Sequence, residues 1–244
     1  HLKDGALDFS GGGRFSGRLT AALCVVGGIC KQYLAKKGVN IIAYVSKTGA
    51  IDGKSYKNAE KSDYQTIKKL RAGKYPSLSE KEKMLEEIAL HKKAGDSVGG
   101  KIECIVYGYK AGVGDNLFGG IESKISSLIY AVPAVKGVEF GLGFDFSASY
   151  GSIVNDELYY DDQKNVKFRS NNSGGINGGI TNGEEITIGV AIRPTPSISK
   201  MQNTVDLIKK ENCKIKIEGR HDGCIVPRAV PCIESAVAIA LLDE

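Results

Sequence analysis

Apolar residues recur at helical spacing from Leu19: Leu19, Ala22, Leu23, Val26, Cys30, Tyr33 and Leu34 share a face, and Gly38 can end the helix. Residues 39–45 follow as a buried strand. Ser79, Glu80, Lys81 and Glu82 form a capping-box pattern, which predicts a second helix to about Ala94, stopped by Gly95. Residues 101–109 predict a strand. Ile121, Ile125, Leu128 and Ile129 mark a third helix, with Pro133 just beyond its end. Ile186, Ile188, Val190 and Ile192 alternate as a half-buried strand does, and Lys214, Ile215, Lys216 and Ile217 repeat that alternation. Ile233, Ala236, Val237, Ala240 and Leu241 place a last helix.

Helices and strands are interspersed, and the strands look half-exposed more than fully buried. That favours an α+β fold, helices layered against antiparallel sheets, over a doubly wound parallel sheet. No Pro/Ser-rich linker divides the chain, so residues 1–244 are expected to form a single domain. The most polar stretch, residues 47–79, reads as an insertion or lid within it.

Composition narrows the classes. The chain has 244 residues, 42% of them apolar and 25% charged, which excludes disorder or a coiled coil as its main theme. No run approaches the ~18 apolar residues of a membrane helix, and residues 1–13 hold no apolar leader core, so no membrane partner and a cytoplasmic location are expected. The net charge of +5 suits an anionic ligand. Residues 54–74 are basic but diluted by Glu60 and Asp63, with Asp52 just ahead, so the stretch reads as a solvated surface and no nucleic-acid partner is expected. The six cysteines include no C-x-x-C pair, which argues against zinc and for reduced thiols.

Glycine is unusually frequent, 31 residues, and clustered. Clustered glycine marks tight turns or backbone pressed against a ligand. Gly11, Gly12, Gly13, Arg14, Phe15, Ser16, Gly17 and Arg18 run straight into the first helix. Free N–H groups, a positive helix end and two arginines make an anion site there; a glycine turn with a serine cap fits the segment equally well. The spacing is not that of a P-loop. Residues 131–141 and 171–183 combine glycine with polar groups, and the second leads through the alternating strand to Arg193, Pro194, Thr195, Pro196 and Ser197. Arg220, His221 and Asp222 could be a catalytic cluster or a surface ion pair at a turn.

Six segments, GGGRFSGRLTA, GVGDNLFGGIESKIS, AVPAVKGVEFGLGF, NNSGGINGGITNGEEI, IRPTPSI and GRHDGCIVPRAVPCIESAVA, together resemble the chorismate synthase family, in its order and across nearly the whole chain. The resemblance implies helices sandwiched between antiparallel β-sheets and a homotetramer that uses reduced FMN, with NADPH as a reductant. It implies an anti-1,4-elimination of phosphate from 5-enolpyruvylshikimate 3-phosphate to give chorismate, in the shikimate pathway of aromatic amino acid biosynthesis. Flavin-binding positions fall on Arg14, Phe15, Ser16, Pro133, Ala134, Gly178, Arg193, Pro194, Thr195, Pro196, Ser197 and Arg220. Arg18 and Arg220 match substrate-anion positions. Asp222 matches the acid that works with the flavin as a proton acceptor, and Ser16 joins it in the catalytic set.

Two details depart from the family. Its usual Asn-Ala pair is Pro133-Ala134 here, which removes a donor and leaves carbonyl or shape contacts. Its Lys ahead of Pro-Thr is Arg193, which keeps the charge. The family's Gly-Glu-Ser-His-Gly and Arg-Pro-Gly-His-Ala-Asp motifs have no counterpart: the histidines are His1, His91 and His221. The chain thus resembles the family from about its second third onward. An N-terminally truncated synthase, without turnover of its own, is the expectation; an inactive FMN- or phosphate-ligand-binding fragment is the alternative.

Overall fold

The computed structural model describes residues 16–56, 63–219 and 221–244. In order these form α1 (Thr20–Lys36), β1 (Asn40–Thr48), β2 (Ile51–Asp52), α2 (Tyr64–Arg71), α3 (Lys81–Lys93), β3 (Gly100–Tyr107), α4 (Ile121–Tyr130), β4 (Val135–Phe140) and α5 (Gly151–Val154). Then come β5 (Leu158–Tyr160), β6 (Val166–Phe168), β7 (Ile176–Asn177), β8 (Ile180–Thr181), β9 (Ile186–Ile192), β10 (Gln202–Asp206), β11 (Glu211–Ile215) and α6 (Val226–Leu242). The α+β class holds. Five antiparallel strands form one sheet in the order β2-β1-β3-β9-β4, and β5-β6, β7-β8 and β10-β11 are separate hairpins.

Register assigns the faces of the sheet. Ile41, Ala43 and Val45 on β1 pair with Val106, Cys104 and Ile102 on β3, which pair in turn with Ile186, Ile188 and Val190 on β9. Alternation puts these apolar residues on one face. Helix α6 lies on that face and meets α1 and α4 on its other sides. A helix enclosed in this way must be apolar almost all round, and α6 is buried from Val226 to Leu241 with few gaps. Its seam with α1 is close: a Cβ added at Gly27 would stand 2.2 Å from Ser235 Cβ.

Glu234, also buried on α6, accepts from the Ala43 amide at 2.8 Å and pairs with both Lys31 of α1 and Arg71 of α2. One carboxylate therefore ties two helices to the sheet.

The second face of the sheet carries Ile42, Tyr44 and Ile105, covered by Ile67 of α2 and by Leu78. Within residues 47–79, Ile67, Tyr75, Ser77 and Leu78 are buried, and the Val45 amide donates to the Pro76 carbonyl at 2.8 Å. The Tyr44 hydroxyl donates to Glu103 Oε2 at 2.7 Å, and burial raises its pKa far above the usual phenol range.

Three expectations need correction. β9 is not half-exposed: apart from Ala191 it is buried on both faces, because it sits between β3 and β4 with the Lys101–Glu139 pair closed over Gly189. The capping box does not form: Ser79 Oγ accepts from the Lys54 amide at 2.8 Å, while Glu80 caps α3 with a left-handed backbone, φ 53°, and no side-chain bond. The face expected for α1 is not the buried one throughout: Leu19, Val26 and Tyr33 are exposed, while Gly27, Cys30 and Leu34 are buried, because α6 packs against the Gly27 side.

A candidate cofactor and anion cavity

Four stretches far apart in sequence converge on one cavity of about 770 Å³. That size is within the ~300–1,000 Å³ usual for small-molecule and cofactor sites.

The first stretch enters α1. Ser16 caps a short 3-10 turn, Gly17–Leu19, by accepting the Arg18 amide at its Oγ, 3.2 Å. The Thr20 hydroxyl donates to the Gly17 carbonyl at 2.6 Å. Ser16, Arg18 and Ala21 line the cavity, so the N-terminal end of the helix opens onto it. No carboxylate among the described residues pairs with Arg18.

The second stretch leaves α4. Pro133 and Ala134 form the opposite wall. Ala134 holds φ at +75°, a left-handed conformation that L residues with side chains avoid at a cost of about 1–2 kcal/mol. Its carbonyl accepts the Arg193 amide at 3.0 Å, which fastens this turn to the third stretch.

That third stretch is the turn after β9, of which Thr195, Pro196 and Ser197 line the cavity. The Thr195 carbonyl is held by the Ser97 hydroxyl at 2.7 Å. The Thr195 Oγ1 atom is buried and has no protein partner. A buried hydroxyl without a partner costs about 1–3 kcal/mol, so a ligand group that satisfies it gains that much back.

The fourth stretch begins α6. Asp222, Ile225 and Arg228 complete the lining. Arg228 Nη1 donates to Asp222 Oδ2 at 2.7 Å. Arg228 stood within a motif but carried no assignment in the sequence; its place in the first turn of a helix starting at Val226, close after Asp222, was the available signal.

Of the residues singled out in the sequence, Ser16, Arg18, Pro133, Ala134, Thr195, Pro196, Ser197 and Asp222 come together here. Arg193 is exposed and contributes its amide, and Pro194 does not line the cavity. Gly178 lies elsewhere, in the β7–β8 turn, whose Gly179 carbonyl accepts the Ile121 amide at the start of α4. Pro133 follows the other end of that helix, so a helix of ten residues, about 15 Å, separates them. His221 turns away: its Nε2 meets the Ile217 carbonyl at 3.1 Å. Arg14, Phe15 and Arg220 lie outside the described residues.

An apolar wall, two helix N-terminal ends, two arginines and one unsatisfied hydroxyl make a cavity whose chemistry suits a ligand bearing anionic groups. The comparisons specify it further. The chorismate synthase family pattern matches residues 1–244, and the chain belongs to that family. It is 43% identical over 252 residues to the chorismate synthase of Methanocaldococcus jannaschii, covering 99% of this chain and 66% of that protein. With the enzyme of Korarchaeum cryptofilum the identity is 41%, over 97% of this chain and 64% of the relative. A crystal structure of chorismate synthase superposes with a TM-score of 0.75 at 29% identity, covering 94% of this chain and 62% of that one. The chain thus spans just under two thirds of the relatives' length. Among the described residues no helix is long and apolar enough to cross a membrane.

Proposed function

We propose that this chain supplies the flavin- and substrate-holding part of a chorismate synthase, which eliminates phosphate from 5-enolpyruvylshikimate 3-phosphate. The observation that carries this is the convergence of Ser16, Arg18, Ala134, Thr195 and Asp222 on one cavity. The residues fit FMN: Val132, Pro133 and Ala134 offer a largely apolar wall for the ring, Thr195 Oγ1 an unmet hydrogen-bonding group, and the start of α1 with Arg18 a place for phosphate. When bound, reduced flavin supplies electron density for the departure of the substrate's phosphate.

The chain's own groups do the rest. Arg18 and Arg228 hold anions of cofactor and substrate, each able to grip a carboxylate or phosphate through two N–H groups. Arg228 occupies Oδ2 of Asp222, which leaves Oδ1 to accept a proton. Ser16 Oγ accepts the Arg18 amide, so its own O–H remains a donor to a bound anion. Arg220 joins the substrate group on the family resemblance. NADPH as reductant, a homotetramer and a cytoplasmic setting belong to the same reading.

The test is an anaerobic titration of this polypeptide with reduced FMN, with and without the substrate, product being assayed in the same mixture. Flavin binding that substrate tightens is expected. No flavin binding under either condition would overturn the reading.

A further inference from the structure

Cys24 on α1 and Cys232 on α6 bring their sulfurs to 3.7 Å. Both thiols line the cavity, and both are free. The Cys24 thiol donates to Cys232, whose own thiol donates to the Arg228 carbonyl at 3.6 Å. The contact is built into the helix crossing. Three residues further along each helix, Gly27 and Ser235 meet so closely that a Cβ on Gly27 would lie 2.2 Å from Ser235 Cβ. The two backbones are therefore pinned one turn away from the sulfur pair.

The two thiols differ in surroundings. Cys24 is half-buried, and Cys232 is buried, which raises its pKa. Cys24 is thus the sulfur a small oxidant in the cavity meets first, and Cys232 is within reach behind it. A proton-relay or packing role would not require two sulfurs in contact at a solvent-open wall.

We propose that Cys24 and Cys232 form a redox-active dithiol, a modification site at which a peroxide links α1 to α6 by a disulfide. The Cys24 sulfur attacks one peroxide oxygen and the O–O bond breaks; the leaving hydroxide takes the thiol proton and departs as water, and Cys24 becomes a sulfenic acid. The Cys232 sulfur then attacks the Cys24 sulfur. The S–O bond breaks, and the hydroxyl leaves with the Cys232 proton as a second water. The peroxide gains two electrons, one from each thiol. The sulfurs must close from 3.7 Å to the disulfide distance of about 2.05 Å. The oxidised pair fixes the wall of the cavity whatever ligand the cavity takes, so the inference stands apart from the flavin reading.

The same geometry suits a trivalent arsenical, which bridges two neighbouring thiols. In the test, the native protein is treated with hydrogen peroxide, digested without reductant and mapped by mass. The expected product is a Cys24–Cys232 linked peptide, two hydrogens lighter than the free pair and released by dithiothreitol. Cys24→Ser abolishes it and Cys213→Ser does not. Because Cys24→Ser touches the α1–α6 seam, unaltered protein is also titrated with phenylarsine oxide. One adduct that consumes two thiols, and that prior peroxide treatment prevents, is expected. Peroxide that leaves Cys24 as a sulfinic acid with Cys232 still free overturns the proposal, as does an arsenical that consumes no thiols at this pair.

Discussion

Arg228 and Asp222 pair at 2.7 Å at the wall of the cavity, joining the loop ahead of α6 to that helix's first turn. The pair neutralises the very carboxylate that the family resemblance makes a proton acceptor. An anion that enters the cavity competes with Asp222 for the guanidinium. Both side chains are substantially solvent-exposed, so the pair contributes no more than about 1 kcal/mol to the fold. Arg228→Ala should therefore leave urea stability within about 1 kcal/mol and weaken FMN binding several-fold, more so at low salt. A large loss of stability with unchanged FMN affinity would assign the pair to the fold instead.

Gly27 and Gly28 are neighbours on α1 with opposite surroundings. A Cβ at Gly27 would collide with Ser235 at 2.2 Å, whereas at Gly28 nothing lies within 4 Å. Gly27→Ala should destabilise by at least ~1–3 kcal/mol through overpacking. Gly28→Ala should stabilise by roughly 0.5–1 kcal/mol through lost chain freedom in the unfolded state. Denaturant unfolding of the two variants reads this directly; equal effects would contradict the α1–α6 seam.

Glu234 is expected to be among the costliest carboxylates to remove. Glu234→Ala leaves Lys31 and the buried Ala43 amide without this partner and Arg71 with the Ala43 carbonyl alone, in a part-buried setting. Removing one partner of such a network costs about 3–5 kcal/mol. A change below 1 kcal/mol in urea unfolding would show that water replaces the carboxylate.

Periodicity made α4 legible, because Ile121, Ile125 and Ile129 show one apolar stripe to the core; it found α1 as a helix but misjudged its face, since Leu19, Val26 and Tyr33 are exposed. It misjudged β9, since alternation reports one covered face and cannot show that the Lys101–Glu139 pair closes the other over Gly189. Ser79 matched the capping pattern, yet its hydroxyl went to Lys54, a partner 25 residues away that a local rule does not see. The Glu234 network was invisible for the same reason: Lys31 and Arg71 lie 203 and 163 residues from it. Part of the cavity lining was legible. Glycine, proline and arginine mark backbone that must turn beside a ligand, so residues at the ends of α4 and β9 and at the starts of α1 and α6 stood out before their convergence was known.

Asp156 sets an acid limit. Burial raises its pKa, but the Ser170 hydroxyl at 2.6 Å and the Ser173 and Asn172 amides outweigh this and hold the carboxyl below its usual range. A depressed folded-state pKa gives stability that is present above the unfolded value of about 3.9 and is lost as pH falls through the folded value. Urea midpoints should therefore drop below about pH 4, and Asp156→Asn should be less stable at neutral pH with a flatter acid limb. A parallel pH profile in the variant would remove Asp156 from the account.

If the cavity between α1, α6 and the turn after β9 takes FMN as proposed, Thr195 is where its binding should register. Its hydroxyl is buried without a protein partner, so replacing it should not weaken the empty fold. Thr195→Val is to be compared with the unaltered protein by thermal melting without flavin and by FMN titration. An unchanged or higher melting temperature is expected, together with FMN affinity lower by roughly 2- to 10-fold, the worth of one hydrogen bond. Equal FMN affinity in the two proteins, measured under conditions where both bind, would contradict it.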